Sequence, residues 1–163
     1  VLSTEDVGPA FQLDPHRPCA LCCRAVVVAA YQDYVRAHAD LDAALNVHPR
    51  NAQAHFMRSR IFKIRGNNAG ALKSLDLAIA AGEDPNVYCE RGNLLLEQKE
   101  EEKALSDFSR AIQLSPNMVA AYQGRYKANK KLGNTEQMQE DLVKAKELTP
   151  AKAVAKQKSE KKR

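Results

Sequence analysis

The sequence has no tryptophan and few other aromatic residues, with four phenylalanines and five tyrosines among 163 positions. Its longest apolar stretch, residues 25–31, is far shorter than the roughly 20 residues that a membrane-spanning helix needs. It also lacks the alternating apolar and polar pattern of strands joined by hairpin turns. These absences exclude a membrane span and argue against a β-sheet, and they leave an alanine- and leucine-rich composition typical of packed helices.

Cysteines are too few and too unevenly spaced for a disulfide framework: Cys19, Cys22, Cys23 and Cys89. Residues 1–17 lack the apolar core of a secretory signal. We therefore expect reduced thiols in a cytosol-like compartment. The cluster at Cys19 with His16 could suggest a metal site, but all three thiols fall in one predicted helix without a second ligand pair. Packing of these cysteines as small core residues is favoured, and we expect no cofactor.

The net charge of +5 is concentrated at the C-terminus, where residues 151–163 carry six basic side chains and one acidic one. The remaining 19 basic and 19 acidic residues cancel. This neutral body has no basic stripe interleaved with aromatics, so we expect no specific binding of nucleic acid. We interpret the tail as a solvated end; the alternative is nuclear targeting or attraction to acidic surfaces. Because the first residue is valine, we interpret the chain as a piece of a longer protein.

Aligning the chain with itself reveals four copies of one pattern at a nearly constant spacing of roughly 34 residues. The clearest copy contains Tyr88, Arg91, Gly92, Leu95, Ala104, Phe108, Ala111 and Pro116. Every copy holds two stretches with apolar residues three and four positions apart, the spacing of an amphipathic helix. Glycine, asparagine or proline separates most stretches. The predicted helices are 19–32, 35–47, 52–65, 69–81, 86–98, 101–114, 119–132 and 135–148.

This pattern resembles the tetratricopeptide repeat family in its joint spacing of an aromatic residue, a large–small pair, and a later alanine, phenylalanine, alanine and proline. The resemblance implies an all-α fold: an α-solenoid of about four helical hairpins forming a right-handed superhelix, with a short C-terminal capping segment and a basic tail. The expected organisation is an irregular segment at 1–17, a repeat array at 18–150 with units at about 18–51, 52–84, 85–118 and 119–150, and a partial capping helix with the tail at 151–163.

One arginine recurs at the same place in all four units: Arg24, Arg58, Arg91 and Arg125. Sixteen residues later three of the repeats carry an aspartate, namely Asp40, Asp107 and Asp141, whereas the second repeat has Ser74. A planar guanidinium can bond a carboxylate twice. We therefore predict an Arg–Asp pair that ties the two helices of a hairpin together; a ladder of arginines for an acidic ligand is the alternative.

The resemblance further implies that first-helix side chains line a concave binding face. Carried over by position, the candidates are Gln53, Phe56, Arg60, Lys63, Asn86, Cys89, Asn93, Gln123, Lys127, Lys130 and Lys131. Their chemistry is basic at both ends with amides between, which suits a protein or peptide segment bearing carboxylates. The alternative is that the lysines form only a solvated face.

We expect a non-catalytic scaffold or adaptor that binds a partner peptide or helix in the cytoplasm. His38, His48 and His55 show no pattern for acid–base work, and phosphate-binding and nucleophile motifs are absent. Alternatives are the architectural end of a longer solenoid that mediates self-association, or the docking module of a larger enzyme or co-chaperone. The carboxylate clamp of chaperone-binding family members is missing, since its places hold Phe56, Arg60, Glu90, Ala120 and Gly124.

Overall fold

The computed structural model describes residues 18–149, and every regular element in that part of the chain is an α-helix. In chain order the helices are α1 Pro18–Ala30, α2 Tyr34–Val47, α3 Ala52–Ile64, α4 Asn68–Ala81, α5 Pro85–Glu97, α6 Glu101–Leu114, α7 Val119–Leu132 and α8 Thr135–Leu148. The all-α prediction is confirmed, and each helix begins and ends within two residues of the predicted bounds. The predicted irregular segment at 1–17 and the predicted capping helix and tail at 151–163 lie outside the described residues.

Polar side chains fix where the helices begin. Helices α2 to α5 start after a residue whose side-chain oxygen accepts a backbone N–H from the first turn: Asp33, Asn51, Asn67 and Asp84. Such caps satisfy N–H groups that have no acceptor within the helix. Glycines mark two helix ends, because Gly66 after α3 and Gly133 after α7 have φ of 73° and 79°, where a Cβ would be strained.

The chain divides into two compact units, the first ending at Glu83 and the second beginning at Asp84. In the first unit, α1 pairs with α2 and α3 pairs with α4, and α3 also packs against both helices of the preceding pair. In the second unit, α5 pairs with α6 and α7 with α8, and α7 packs against both α5 and α6. Each unit is therefore two helical hairpins joined through the first helix of the second hairpin.

Small side chains let the helices of a hairpin approach closely. Alanines at equivalent repeat positions are buried in each of the first three hairpins: Ala37, Ala44, Ala71, Ala78, Ala104 and Ala111. Leu41, Leu75 and Phe108 fill the space between them and are buried as well, whereas Leu142 in the last hairpin is half-buried. A hairpin's apolar stripe is thus covered by its own second helix and by the neighbouring hairpin.

Candidate functional site

The predicted Arg–Asp pairs form in three hairpins, each joining a first helix to its second helix. Arg24 donates from Nε and Nη2 to the two carboxylate oxygens of Asp40, at 2.7 and 2.5 Å. The pairing raises the pKa of Arg24. Equivalent two-point contacts join Arg91 to Asp107 and Arg125 to Asp141. The guanidinium groups of these three arginines are therefore bound to aspartates within the fold. The geometry does not support a ladder of arginines open to an acidic ligand.

The second hairpin lacks this pair because serine replaces the aspartate. Ser74 is buried and its hydroxyl donates to the Gly70 carbonyl at 2.9 Å. Arg58 turns instead to Asp42, with Nη1 and Oδ1 3.5 Å apart, and to the His55 ring, with Nη2 and Nδ1 3.2 Å apart. Its Nε is buried without a hydrogen-bond acceptor among the described residues. The hydrogen bonding of Arg58 is thus less complete than that of the three equivalent arginines in the other repeats.

His38 lies beside this irregular site, between α2 and α3. Its ring packs against Phe62 with 4.7 Å between ring centroids, and its buried Nε2 has no hydrogen-bond partner in the described chain. Burial chiefly lowers the pKa of His38; Asp42 opposes the shift, and Arg65 and Arg58 add to it. A neutral imidazole held against an aromatic ring in this way acts as a packing element between the two helices.

In the first unit, the predicted binding residues all lie on α3. Gln53 and Arg60 are exposed, whereas Phe56 and Lys63 are half-buried. Arg60 borders an open pocket of about 250 Å³ between α1 and α3. The other residues that line it are apolar: Ala25, Val26, Ala29, Ala30, Met57, Ile61 and Ile64. This face of the first unit is therefore apolar with one cation at its border.

Prediction from sequence missed the α1 side of this pocket. Val26 stands one repeat before Arg60, and Ala30 stands one repeat before Ile64, so the repeat register already pointed to both residues. The predicted binding residues instead come only from the first helices of the second, third and fourth repeats. The structure shows a regular helix at Pro18–Ala30.

In the second unit, the predicted residues lie on α5 and α7. Gln123, Lys127 and Lys130 are exposed on α7. Neither Lys127 nor Lys130 forms an ion pair with any residue that the structure describes, so both cations face solvent. Lys131 differs, because its Nζ lies 3.4 Å from the Leu96 carbonyl oxygen and 3.7 Å from a Glu101 carboxylate oxygen. That lysine helps to hold α7 against the preceding hairpin.

The α5 residues offer less to a ligand than the sequence suggested. Asn86 is exposed, but its amide donates to Asp84 at the start of the helix, and Asn93 is half-buried. Cys89 departs from the prediction: it is 5% exposed, and its sulfur lies 3.7 Å from the Met118 sulfur. The packing of Met118 over α5 buries the thiol and takes it out of the exposed face.

The chemistry of Cys89 follows from that burial. Burial, with smaller contributions from Glu90 and Asp107, raises the pKa of the thiol to about 11. Because the thiolate is the reactive and metal-binding form, this thiol is inert at neutral pH. Among residues 20–149 no group of three or more histidine, cysteine or acidic side chains could hold a metal ion. Within the same range, no helix has both the length and the apolar character needed to cross a bilayer.

Comparison with known proteins agrees with the hairpin architecture. Family models described as tetratricopeptide repeat match residues 30–87 and 85–118, which together make up more than half of the chain. The chain is 31% identical over 114 residues to tetratricopeptide repeat protein 36 of Bos taurus. This match spans 67% of the chain and 60% of that relative, so the chain covers less than two thirds of the relative's length.

Solved structures of low sequence identity share the fold. A crystal structure of MamA gives a TM-score of 0.76 at 20% identity, covering 88% of this chain and 85% of that one. The pilF structure of Pseudomonas aeruginosa gives a TM-score of 0.74 at 21% identity, covering 81% of this chain and 61% of that one. The Cut9–Hcn1 heterotetramer of the APC/C gives a TM-score of 0.73 at 12% identity, covering 85% of this chain and 26% of that one. With the repeat spacing, the hairpins and the family matches in agreement, this chain belongs to the tetratricopeptide repeat family and has its all-α solenoid fold.

Proposed function

We propose that the chain is a non-catalytic scaffold that binds a segment of a partner protein on the exposed side of its first helices. The family and its fold support a role in protein–protein interaction in general. The observation that carries the finer proposal is the open apolar pocket between α1 and α3 with Arg60 at its border. A pocket of this kind suits an apolar side chain whose neighbour in sequence is acidic, because the carboxylate can then pair with the guanidinium.

The second unit supports an acidic partner by a different feature. Lys127 and Lys130 lie three residues apart on α7, so they project from the same side of the helix. Two solvent-facing cations on one side attract carboxylates and raise the rate of encounter, and they select against basic segments. Lys131 is left out of this surface because it contacts Glu101. We assign the repeat array, residues 18–150, to this binding role in a cytosol-like compartment, with nuclear targeting through the basic tail as the alternative.

The test uses an array of short peptides in which acidic residues flank a leucine or phenylalanine, probed with the full chain. Binders are then measured in solution against two variants. Arg60→Glu should weaken binders of the first unit, and combined Lys127→Glu and Lys130→Glu should weaken binders of the second unit. Each loss should be about tenfold or more, because opposed like charges cost upwards of about 1.4 kcal/mol.

The matched control is Lys144→Glu with Lys146→Glu on α8, which changes the net charge by as much as the combined Lys127 and Lys130 changes do, but on a different helix. This control should keep the affinity of the wild-type chain at matched salt. Equal losses of affinity in all three variants would show that net charge alone explains the effect. Absence of any acidic binder, or binding that none of the first-helix variants weakens, would refute the proposed site.

A further inference from the structure

Helix α1 ends in two small side chains where it lines the pocket against α3. Ala29 is half-buried there, and Ala30 is exposed. The later repeats all carry longer side chains at these two places: Lys63, Leu96 and Lys130 at the first, and Ile64, Glu97 and Lys131 at the second. The two alanines therefore leave a space beside α3 that a longer side chain would occupy.

The second unit shows what longer side chains do at the equivalent places. Leu96 of α5, at the place of Ala29, is buried. Lys131 of α7, at the place of Ile64, lies with its Nζ 3.4 Å from the Leu96 carbonyl oxygen. The end of α5 is thus in contact with α7, whereas the end of α1 leaves an open pocket of about 250 Å³ against α3.

The size and the lining of this pocket suit an aromatic ring. A cavity of about 150 Å³ is enough to hold benzene, so a pocket of about 250 Å³ accepts a ring together with part of the chain that carries it. Met57 contributes a thioether to the lining, and a thioether makes favourable contacts with aromatic rings. A smaller side chain such as that of alanine would leave much of the apolar lining in contact with water.

Arg60 brings a positive charge to the border of the pocket. Its side chain is exposed, and it forms no ion pair with any residue in the described part of the chain. A guanidinium can lie over the face of an aromatic ring, and its planar fork can bond a carboxylate. Both interactions favour an aromatic side chain with an acidic neighbour over a neutral or basic segment.

We propose that Ala29 and Ala30 make this pocket selective for an aromatic side chain of the partner, whose neighbouring carboxylate pairs with Arg60. The inference rests on the proposed function and specifies which side chain the first unit selects. The two alanines set the selectivity because they determine how much space is left beside Met57 and Ile64. A leucine or an isoleucine in their place would occupy that space within the chain itself.

Binding of three matched peptides to the full chain tests the selectivity. In each peptide two aspartates flank one variable residue, which is phenylalanine, leucine or alanine, and only the binding that Arg60→Glu removes is attributed to the first unit. The phenylalanine peptide should bind about threefold more tightly than the leucine peptide and at least about tenfold more tightly than the alanine peptide, because it buries more apolar surface. Equal affinity for the phenylalanine and alanine peptides would overturn the inference, while a loss of both in Arg60→Glu would still support the proposed acidic-partner site.

Ala29→Leu and, separately, Ala30→Ile introduce into α1 residues that other repeats hold at these places. Each should weaken the phenylalanine peptide at least about tenfold and bring its affinity close to that of the alanine peptide. Ala30 is exposed, so its variant keeps the fold, which circular dichroism checks. The matched control is Ala39→Leu on α2, an exposed position outside the pocket, which should change neither affinity. A preference for phenylalanine that survives both pocket variants would overturn the role of the two alanines.

A small probe separates failure of this inference from failure of the proposed function. Phenylpropionate carries an aromatic ring and a carboxylate, whereas propionate carries the carboxylate without the ring. Saturation-transfer NMR should detect weak, roughly millimolar binding of phenylpropionate, weakened by Ala29→Leu and by Arg60→Glu, and none of propionate. Binding of this probe without any peptide binder would support the aromatic pocket and refute the peptide site. Absence of probe binding, or probe binding that Ala29→Leu leaves unchanged, would overturn the inference.

Discussion

Single residues decide how the two helices of each hairpin are joined. In the last hairpin the Asp141 carboxylate is 1% exposed and accepts from Arg125 Nε and Nη2 and from Asn129 Nδ2. Arg125 also lies over the Tyr122 ring, with 5.7 Å from its Cζ to the ring centroid. The carboxylate thus links two side chains of α7 to α8. Its loss would leave several polar groups without their hydrogen-bond acceptor at once.

Replacing Asp141 with alanine is expected to lower the free energy of unfolding by about 2–4 kcal/mol. The range lies below that for a fully buried pair because Arg125 keeps 28% of its side chain exposed and can recruit water. Urea denaturation followed by circular dichroism measures the change. Glu140→Ala, at the exposed neighbouring position, is the control and should stay within about 0.5 kcal/mol of the wild-type chain. A loss at Asp141 no greater than that of the control would contradict the structural role of the pair.

His38 predicts how stability depends on pH. The pKa of His38 is lowered in the folded chain, chiefly by burial, whereas in the unfolded chain it titrates near its ordinary value of 6.5. Below that pH the unfolded chain therefore binds a proton that the folded chain resists. The free energy of unfolding should fall as pH drops below about 6.5, and this fall should be smaller in His38→Gln.

Denaturant unfolding at a series of pH values between neutral and mildly acidic measures the slope. His48→Gln is the control because it leaves His38 and its surroundings in place. If the slopes of the His38→Gln and wild-type chains coincide, burial of His38 has no part in the acid sensitivity.

At the residue scale, the sequence predicted pairs well where one pattern repeats. The spacing of sixteen residues identified three Arg–Asp pairs because helix lengths and the short turn are the same in those hairpins. It also marked the second hairpin as the exception through Ser74. It gave no way to find that Arg58 would reach His55 and Asp42, because those choices depend on which side chains the rest of the fold leaves within reach.

Among the helices, the contact between α5, α6 and α7 depends on small residues that lie against one ring. Phe108 on α6 is fully buried, and a Cβ built on Gly92 of α5 would lie 2.9 Å from its Cζ. A Cβ on Gly124 of α7 would come closer still to the same ring. The third repeat has Gly92 at the place where the repeat pattern requires a small residue, and the fourth repeat has Tyr126 there. Gly124, two residues earlier, makes the close approach in its place.

Gly124→Ala is therefore expected to destabilise the chain by about 1–3 kcal/mol, although alanine is the better helix former. The added methyl group must push the Phe108 ring into a core that has no space for it. Combining Gly124→Ala with Phe108→Leu should cost less than the sum of the two single changes, since leucine makes room for the methyl group. Urea unfolding of the three variants measures both effects. A stabilising Gly124→Ala would contradict the close contact.

Helices were predicted more accurately than the faces they expose. Periodicity and the capping residues locate each helix, because both are local properties of the chain. Exposure depends on what packs above a helix, which explains why Cys89 was assigned to the binding face although Met118 covers it. The α1 side of the pocket beside Val26 was missed for the related reason that a pocket depends on how α1 and α3 pack against each other.

At the scale of the whole molecule, the chain comprises two compact units that each repeat the same construction. In both, the first helix of the second hairpin packs against both helices of the first hairpin. The units differ in what they expose, since the first offers apolar residues around one arginine and the second offers two lysines. All of this depends on one physical claim, that a hairpin hides its apolar stripe only against its neighbours.

Circular dichroism of a peptide comprising residues 85–118, compared with the full chain, tests that claim most directly. The peptide contains one complete hairpin, with Arg91 and Asp107 and with Phe108 in place, but without the α7 residues that cover the ring. We expect the full chain to unfold in a cooperative thermal transition and the peptide to show little helix and no such transition. A peptide that is fully helical and melts cooperatively would contradict the claim, because the hairpin would then be stable without its neighbour.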